Sequence, residues 1–223
     1  MAEKETKETK QRMVTIAPPN LKVAIFEIEG SAPYVQSRFS AKAMKEMADK
    51  MAAGSTAAKG KKRPPRDFEA DYQGAHHFST EGWIGIPASC FRNALISACR
   101  LVGFKMTLGK LSVFVLADGF DKIDGIPLVK IQGTPRKHIM PARNDNGSMD
   151  LRVRPMWEKW GAKVRVRYDA DQFTIEDVTN LMSRVGLQVG IGEGRPDSRM
   201  SAGIGWGTFD LAGTVEAKIE KAS

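Results

Sequence analysis

The sequence predicts an α+β domain in the order β-α-β-β-α-β, the ferredoxin-like (RRM-like) arrangement. Three observations carry that expectation. Residues 21–30 (LKVAIFEIEG) and 111–116 (LSVFVL) are short apolar runs of strand length, and 163–168 (KVRVRY) alternates strictly. Residues 86–102 and 174–185 repeat apolar side chains at helical spacing. With 207–217 taken as a last strand, the two helices fall between strands in the required order. Right-handed crossovers then put both helices on one face of an antiparallel sheet and leave the other face free.

A single domain is expected over 14–217, with insertions at 53–80 and 119–150 and a long basic stretch in the first of them. Residues 1–13 have the polar, aperiodic composition of a disordered tail, and 218–223 fray. The apolar run at 21–30 suits a strand buried on both faces. Ser40 is placed to cap a helix running to about Ala52. Along it Met44, Met47, Ala48 and Met51 recur as a stripe of the kind that fills cores. Residues 53–80 have no period and hold Lys59, Lys61, Lys62, Arg63 and Arg66 close together. Such a stretch is a basic finger over nucleic acid or a solvated linker.

Pro87 suits the first turn of the next helix. Its apolar stripe is Phe91, Ala94, Leu95, Ala98, Leu101 and Val102, and Gly103 closes it. Residues 127–131 read as a short edge strand and 132–150 as a loop ending in the turn-rich NDNG. In 151–154, Arg152 and Arg154 take one side and Leu151 and Val153 the other. Thr174 caps the last helix, with Glu176 and Asp177 in its first turn. Ile175, Val178, Leu181, Met182 and Val185 face the core, and Gly186 ends the helix.

The 223 residues carry 34 Lys and Arg against 26 Asp and Glu, a net charge of +8 with pI ≈ 9.5. That balance suits a polyanion, nucleic acid before an anionic membrane. No apolar run approaches the roughly 18 residues of a membrane span. The charged start, MAEKETKETKQR, lacks the apolar core of a secretory leader, so a cytoplasmic protein is expected. Cys90 and Cys99 fall on opposite faces of their helix and cannot pair, which fits a reducing compartment. The three histidines and two cysteines show no zinc spacing, and nothing asks for a cofactor or metal.

Residues 186–208 (GLQVGIGEGRPDSRMSAGIGWGT) hold seven glycines with Arg195 and Arg199 among them. Glycine accepts φ > 0 and allows close approach, and successive N–H groups can cradle an anion. The expectation is that Gly190, Gly192, Gly194 and Gly205 lie against a phosphate backbone, with Arg195 and Arg199 beside it. A plain helix-to-strand connection is the alternative. The pattern is neither a P-loop nor a dinucleotide fingerprint. Lys163, Arg165 and Arg167 share one strand face without a carboxylate between them, and such a face meets solvent or an anion. Arg92, early in its helix, sits where phosphate is favoured. Lys61, Lys62, Arg63, Arg152 and Arg154 complete the expected contact set. Trp83, Trp157, Trp160 and Trp206 are base-stacking platforms or core.

Two motifs carry a resemblance. Gly85-Ile86-Pro87-Ala88-Ser89, running into Phe91-Arg92-Asn93-Ala94-Leu95, resembles the IPGSSLKGALR opening of the first helix in the RAMP superfamily. That superfamily includes backbone subunits of CRISPR effector complexes. The glycine-rich stretch with Arg195 and Arg199 resembles its G-loop. Ala88 and Asn93 stand where the superfamily has glycine. Residues 190–196 are also similar to a GVGEWRP-like segment of phage proteins of comparable length. The resemblance covers 21–30, 84–118 and 160–215. It implies a ferredoxin-like core, a basic finger and a phage-encoded member. It further implies side-by-side assembly, a homo-oligomer or filament along RNA or single-stranded DNA.

The expected function is therefore non-catalytic, largely sequence-independent binding of single-stranded RNA or DNA. Three alternatives stay open: a phage single-strand annealing or protecting protein, a metal-independent endoribonuclease, and a structural phage protein without nucleic acid. His76, His77, His138, Asp67 and Asp71 are the catalytic candidates the resemblance supplies. No positioned partner is visible in their spacing, and adjacent histidines in a polar loop read as bystanders.

Overall fold

The computed structural model describes residues 17–38, 41–52, 66–143, 147, 149–198 and 203–218. Lys59, Lys61, Lys62, Arg63 and Arg199 lie outside the described residues, as do the 1–13 tail and residues 53–65 of the expected finger. Three elements come first: β1 (Leu21–Gly30), β2 (Tyr34–Val35) and α1 (Ala41–Ala52). Then follow α2 (Phe68–Gly74), β3 (Gly85–Pro87), α3 (Ala88–Leu101), α4 (Met106–Ser112) and β4 (Val113–Leu116). The central part is β5 (Gly119–Phe120), β6 (Pro127–Gln132), β7 (Arg136–Arg143) and β8 (Met149–Trp157). The chain closes with β9 (Gly161–Asp169), α5 (Ile175–Arg184), a π-helical turn (Val185–Val189) and β10 (Phe209–Lys218).

β1 is hydrogen-bonded on both sides, antiparallel to β10 and to β9. The far edge of β9 takes β4 along 165–168 and β6 at 161–162, and β3 lies beyond β6. The strands therefore run β10-β1-β9-β4, with α3 between β1 and β4 in sequence and α5 between β9 and β10. This mixed α+β architecture of antiparallel sheets is compatible with a ferredoxin-like core. A second sheet, β2-β8-β7, stands beside it.

The core follows from alternation along the two central strands. Ala24, Phe26 and Ile28 of β1 and Val164, Val166 and Tyr168 of β9 are all buried, packed with Phe91 and Leu95 of α3 and Val178, Leu181 and Met182 of α5. Each buried Phe, Ile, Leu, Val or Met among them contributes roughly 1.5–3 kcal/mol on burial. Thr174 and Asp177 form a reciprocal capping box at the start of α5, as its sequence predicts.

Several local expectations are corrected. The expected 53–80 loop contains α2, whose first turn is capped by the Asp67 carboxylate accepting from the Glu69 and Ala70 amides at 2.9 and 3.0 Å. The expected 132–150 loop contains β7, paired with β8 from Arg136↔Met156 to Arg143↔Met149. Charges and Pro141 hide β7 in the sequence, because a strand's stability lies in its partner. β6 is not an edge strand but lies between β9 and β3. Residues 85–87 are extended and the helix starts at Ala88. Residues 111–112 end α4, so the strand there begins at Val113. The methionines of α1 do not fill the core: Met44, Met47 and Met51 are 41%, 45% and 76% exposed.

The glycine-rich stretch is folded tightly on itself and on β2. The Ile191 amide donates to the Gly207 carbonyl at 3.0 Å, Glu193 to Val35 at 2.9 Å, and Gly207 to Pro33 at 2.8 Å. At Gly207 (φ +69°) an added Cβ would stand 1.8 Å from the Ile191 carbonyl oxygen. At Gly192 (φ +77°) it would stand 2.6 Å from both the Tyr34 ring and the Val35 oxygen. What approaches these glycines is the protein's own backbone and rings. Gly205 (φ +85°) faces open space. Glycine at 192 and 207 is thus required by the protein's own packing, whereas at 205 only the left-handed backbone favours it. Gly192→Ala and Gly207→Ala should each cost about 2–4 kcal/mol, a Tm loss on the order of 10 °C. Gly205→Ala should cost only about 1 kcal/mol, from its left-handed backbone. Equal melting temperatures for the three variants would contradict this packing.

Candidate nucleic-acid interface

The structure divides the predicted contact residues between two places on opposite sides of the main sheet. On the side away from α3 and α5 lie Lys163, Arg165 and Arg167, because their β9 neighbours Val164, Val166 and Tyr168 face the helices. Cross-strand partners put Phe114 beside Arg167, Leu116 beside Arg165, and Ile25 and Glu27 of β1 beside Arg165 and Lys163. The expected absence of carboxylates on this face is corrected by its neighbours. Lys163 lies 3.6 Å from Glu27, and Arg165 pairs with Asp118 at 3.0 Å while donating to the Ala117 carbonyl. Arg167 differs: among the described residues it has no carboxylate partner. Its guanidinium lies over the Phe114 ring at 5.2 Å, and its buried Nε has no hydrogen-bond partner.

Arg92 does not serve the N-terminus of α3. It reaches the edge of β4, where Nε donates to the Val113 carbonyl at 3.1 Å and Nη2 to the Lys110 carbonyl at 2.6 Å. From there it approaches the same Phe114 ring at 5.0 Å. One half-buried phenylalanine thus has two guanidinium groups about it. Phe114 was not among the sequence candidates. Its place on the open face follows from the register of β4 against β9, which no single segment reveals.

On the helix-bearing side, the two motif segments meet. A cleft of about 460 Å³ opens between the outer face of α3 (Cys90, Asn93, Ser97), the glycine-rich stretch (Gly192, Glu193, Arg195) and Arg152 of β8. Glu193 pairs with Arg154 at 2.7 Å and stands 3.5 Å from Arg152. Arg195 donates to the Gly192 carbonyl at 3.0 Å. Asp197 clamps the stretch to α3, accepting from the Ser97 hydroxyl and from Arg100 at 3.0 Å. The Ser97 bond, then the Arg100 bond and charge, hold its carboxyl below the ordinary value despite burial. Burial pushes the Cys90 thiol up to about 11, so it stays protonated at neutral pH. Gly190 and Gly194 pack within the stretch, and Gly205 faces open space.

The tryptophans divide. Trp157 and Trp160 are core, whereas Trp206 lies half-buried against Gly194 with its ring 5.6 Å from that of His138. The histidine pair is built into the fold. His76 and His77 are 3% and 5% exposed. His76 Nδ1 contacts the Tyr72 carbonyl at 2.9 Å, and its ring stacks on Phe78. His77 Nδ1 contacts Asp121 at 2.9 Å, and Arg38 bridges Asp121 and Asp124 at 3.0 and 2.9 Å while donating to the His76 carbonyl. His77, Asp121 and Asp124 are close enough to ligate a metal, but the Arg38 guanidinium already stands between the two carboxylates as their cation. Asp67 is spent on its cap and Asp71 on Arg66.

No described helix is long and apolar enough to cross a membrane. No family model and no curated protein matches the sequence. Among solved structures, a chain of the Type III-B Cmr-beta complex bound to cognate target RNA resembles this one with a TM-score of 0.48 and 10% sequence identity. The match covers 90% of this chain and 61% of that one, so this chain spans about three-fifths of its length. A likeness at that score decides neither family nor function.

The buried histidines give the fold a pH dependence. Desolvation holds both imidazoles below the ordinary 6.5, against the Tyr72 carbonyl for His76 and against the Asp121 bond for His77. Such a group takes up its proton more readily unfolded than folded. Its contribution is therefore complete above 6.5 and is lost as pH falls below that value. Asp121 does not act in this window: although burial raises it, the Ile123 amide, the His77 bond and the Arg38 charge hold it below 3.8. The Tm should fall between about pH 7.5 and about pH 5.5. His77→Gln, which keeps a donor to Asp121 but does not titrate, should show a smaller fall. Equal falls in the two proteins would remove His77 as the cause.

Proposed function

We propose that the protein binds single-stranded nucleic acid, RNA or DNA, without catalysis, across the open face of β9. The observation that supports this best is the Phe114 ring with Arg167 and Arg92 about it, two guanidiniums without a carboxylate partner among the described residues. A partly exposed ring offers apolar contact to a base of any identity, and the cations about it favour phosphate. Lys163 and Arg165 continue the cationic track along β9, their surface pairs being weak enough to yield to a phosphate. In this reading the α+β core is ferredoxin-like, with 53–80 and 119–150 as insertions. The meeting of the 85–95 and 190–196 motifs in one cleft supports the RAMP resemblance. Several copies arranged along one strand belong to the same reading. The buried bonding of His76 and His77 favours binding over strand cleavage.

Affinity for a labelled single strand should fall with salt by about 0.7 log units per log unit for each phosphate held, about 2 for three contacts. Arg167→Ala should weaken all sequences alike and reduce that slope by about 0.7. Phe114→Ala should cost about 1–3 kcal/mol of binding, roughly 5- to 150-fold. A salt-independent affinity, unchanged binding in both variants, or cleavage of the strand would overturn the proposal.

A further inference from the structure

The cleft on the helix-bearing side is not reached by a strand lying across β9, because the sheet and α3 stand between them. We propose that it is a separate site that takes one nucleoside phosphate, free or at the end of a strand. Its volume, about 460 Å³, is that of a small-ligand site, a fit for one nucleotide rather than for a passing strand.

The charges select an anion. Both carboxylates at the cleft are already engaged, Asp197 by Arg100 at 3.0 Å and Glu193 by Arg154 at 2.7 Å. Arg195 has no carboxylate within ion-pair distance among the described residues, and Arg152 reaches Glu193 only at 3.5 Å. Arg195 is thus left for a phosphate, which it suits by charge and by its forked donors, with Arg152 beside it on a long contact to Glu193. Glu193 stands beside this position as a built-in counter-ion. Its amide is tied to the Val35 carbonyl, and Gly192 and Gly194 on either side hold left-handed backbone. An entering phosphate therefore competes with a carboxylate for Arg152.

Ala94, Val189 and Ile191 close the floor of the cleft but are core side chains, only 5%, 3% and 1% exposed, so what can read a nucleoside there is polar. Asn93 is exposed on the α3 wall, and its amide makes no hydrogen bond within the described residues. A free amide offers donors and an acceptor to a base edge or ribose. A bare phosphate would leave this amide unused.

Calorimetric titration of the intact protein with adenosine monophosphate, uridine monophosphate and inorganic phosphate tests the site. A 5′-phosphorylated oligonucleotide against its 5′-hydroxyl counterpart distinguishes a strand end from a free nucleotide. The mononucleotides should bind more tightly than inorganic phosphate. Arg195→Ala should weaken them about 10-fold or more, the cost of a charge-assisted bond. Asn93→Asp, on an exposed helix surface, should do the same with Tm unchanged. Glu193→Gln should tighten binding, about threefold or more, by removing the competing carboxylate. Arg167→Ala should leave mononucleotide binding unchanged while weakening long strands, so that the two sites succeed or fail separately. The inference is overturned if neither mononucleotide nor phosphorylated end binds, or if inorganic phosphate or a phosphoserine peptide binds as tightly as the mononucleotides. Unaltered mononucleotide binding in Asn93→Asp overturns it too.

Discussion

The far end of the molecule depends on one buried cation. Arg38 is almost fully enclosed, and such a charge persists only with its partners in place. Its guanidinium gathers the His76 carbonyl from the segment after α2 and the Asp121 and Asp124 carboxylates from the turn before β6. Removing one partner of a buried pair costs about 3–5 kcal/mol, because the other is left charged and unpaired. Two residues earlier, the Gln36 amide donates to the Gly85 carbonyl at 2.7 Å and its oxygen accepts from the His77 amide. Gly85 opens β3, and β3 runs directly into α3. The network therefore anchors the strand from which α3 starts, while the helix itself is held by its buried stripe.

The same helix serves both sides of the molecule. Its buried stripe closes the sheet, its outer face forms one wall of the cleft, and Arg92 passes round to the edge of β4. Residues that sequence places in one contact set, such as Arg167 and Arg195, are thereby separated by the thickness of a sheet and a helix. The open face of β9 and the cleft are lined by different residues, and α3 with its packing lies between them.

Legibility in the sequence followed the range of the interaction. β1, β9, α3 and α5 are set by local periodicity, and their places are read from 21–30, 163–168, 86–102 and 174–185. The capping box of α5 is equally local. β7 is not legible, because R-K-H-I-M-P becomes a strand only through the ladder to β8. The methionines of α1 have helical spacing without a partner surface, and period alone does not report whether a face is covered. Arg92 shows the same limit: its neighbours in sequence point to a helix N-terminus, while its actual acceptors lie 18 and 21 residues away. The glycines were legible as sites of close approach. What approaches them was not, since Tyr34 and Ile191 come near Gly192 and Gly207 only through the fold.

Arg92 also has a consequence for self-association. A strand at the margin of a sheet offers unpaired carbonyls on which another chain can add. At β4 the Arg92 side chain lies over that margin and occupies the Val113 carbonyl. The opposite margin, formed by β10 along Phe209–Lys218, has β1 on one side and no strand on the other among the described residues. The two margins therefore differ: a guanidinium lies over a carbonyl of β4, while the outer backbone of β10 meets no strand among the described residues.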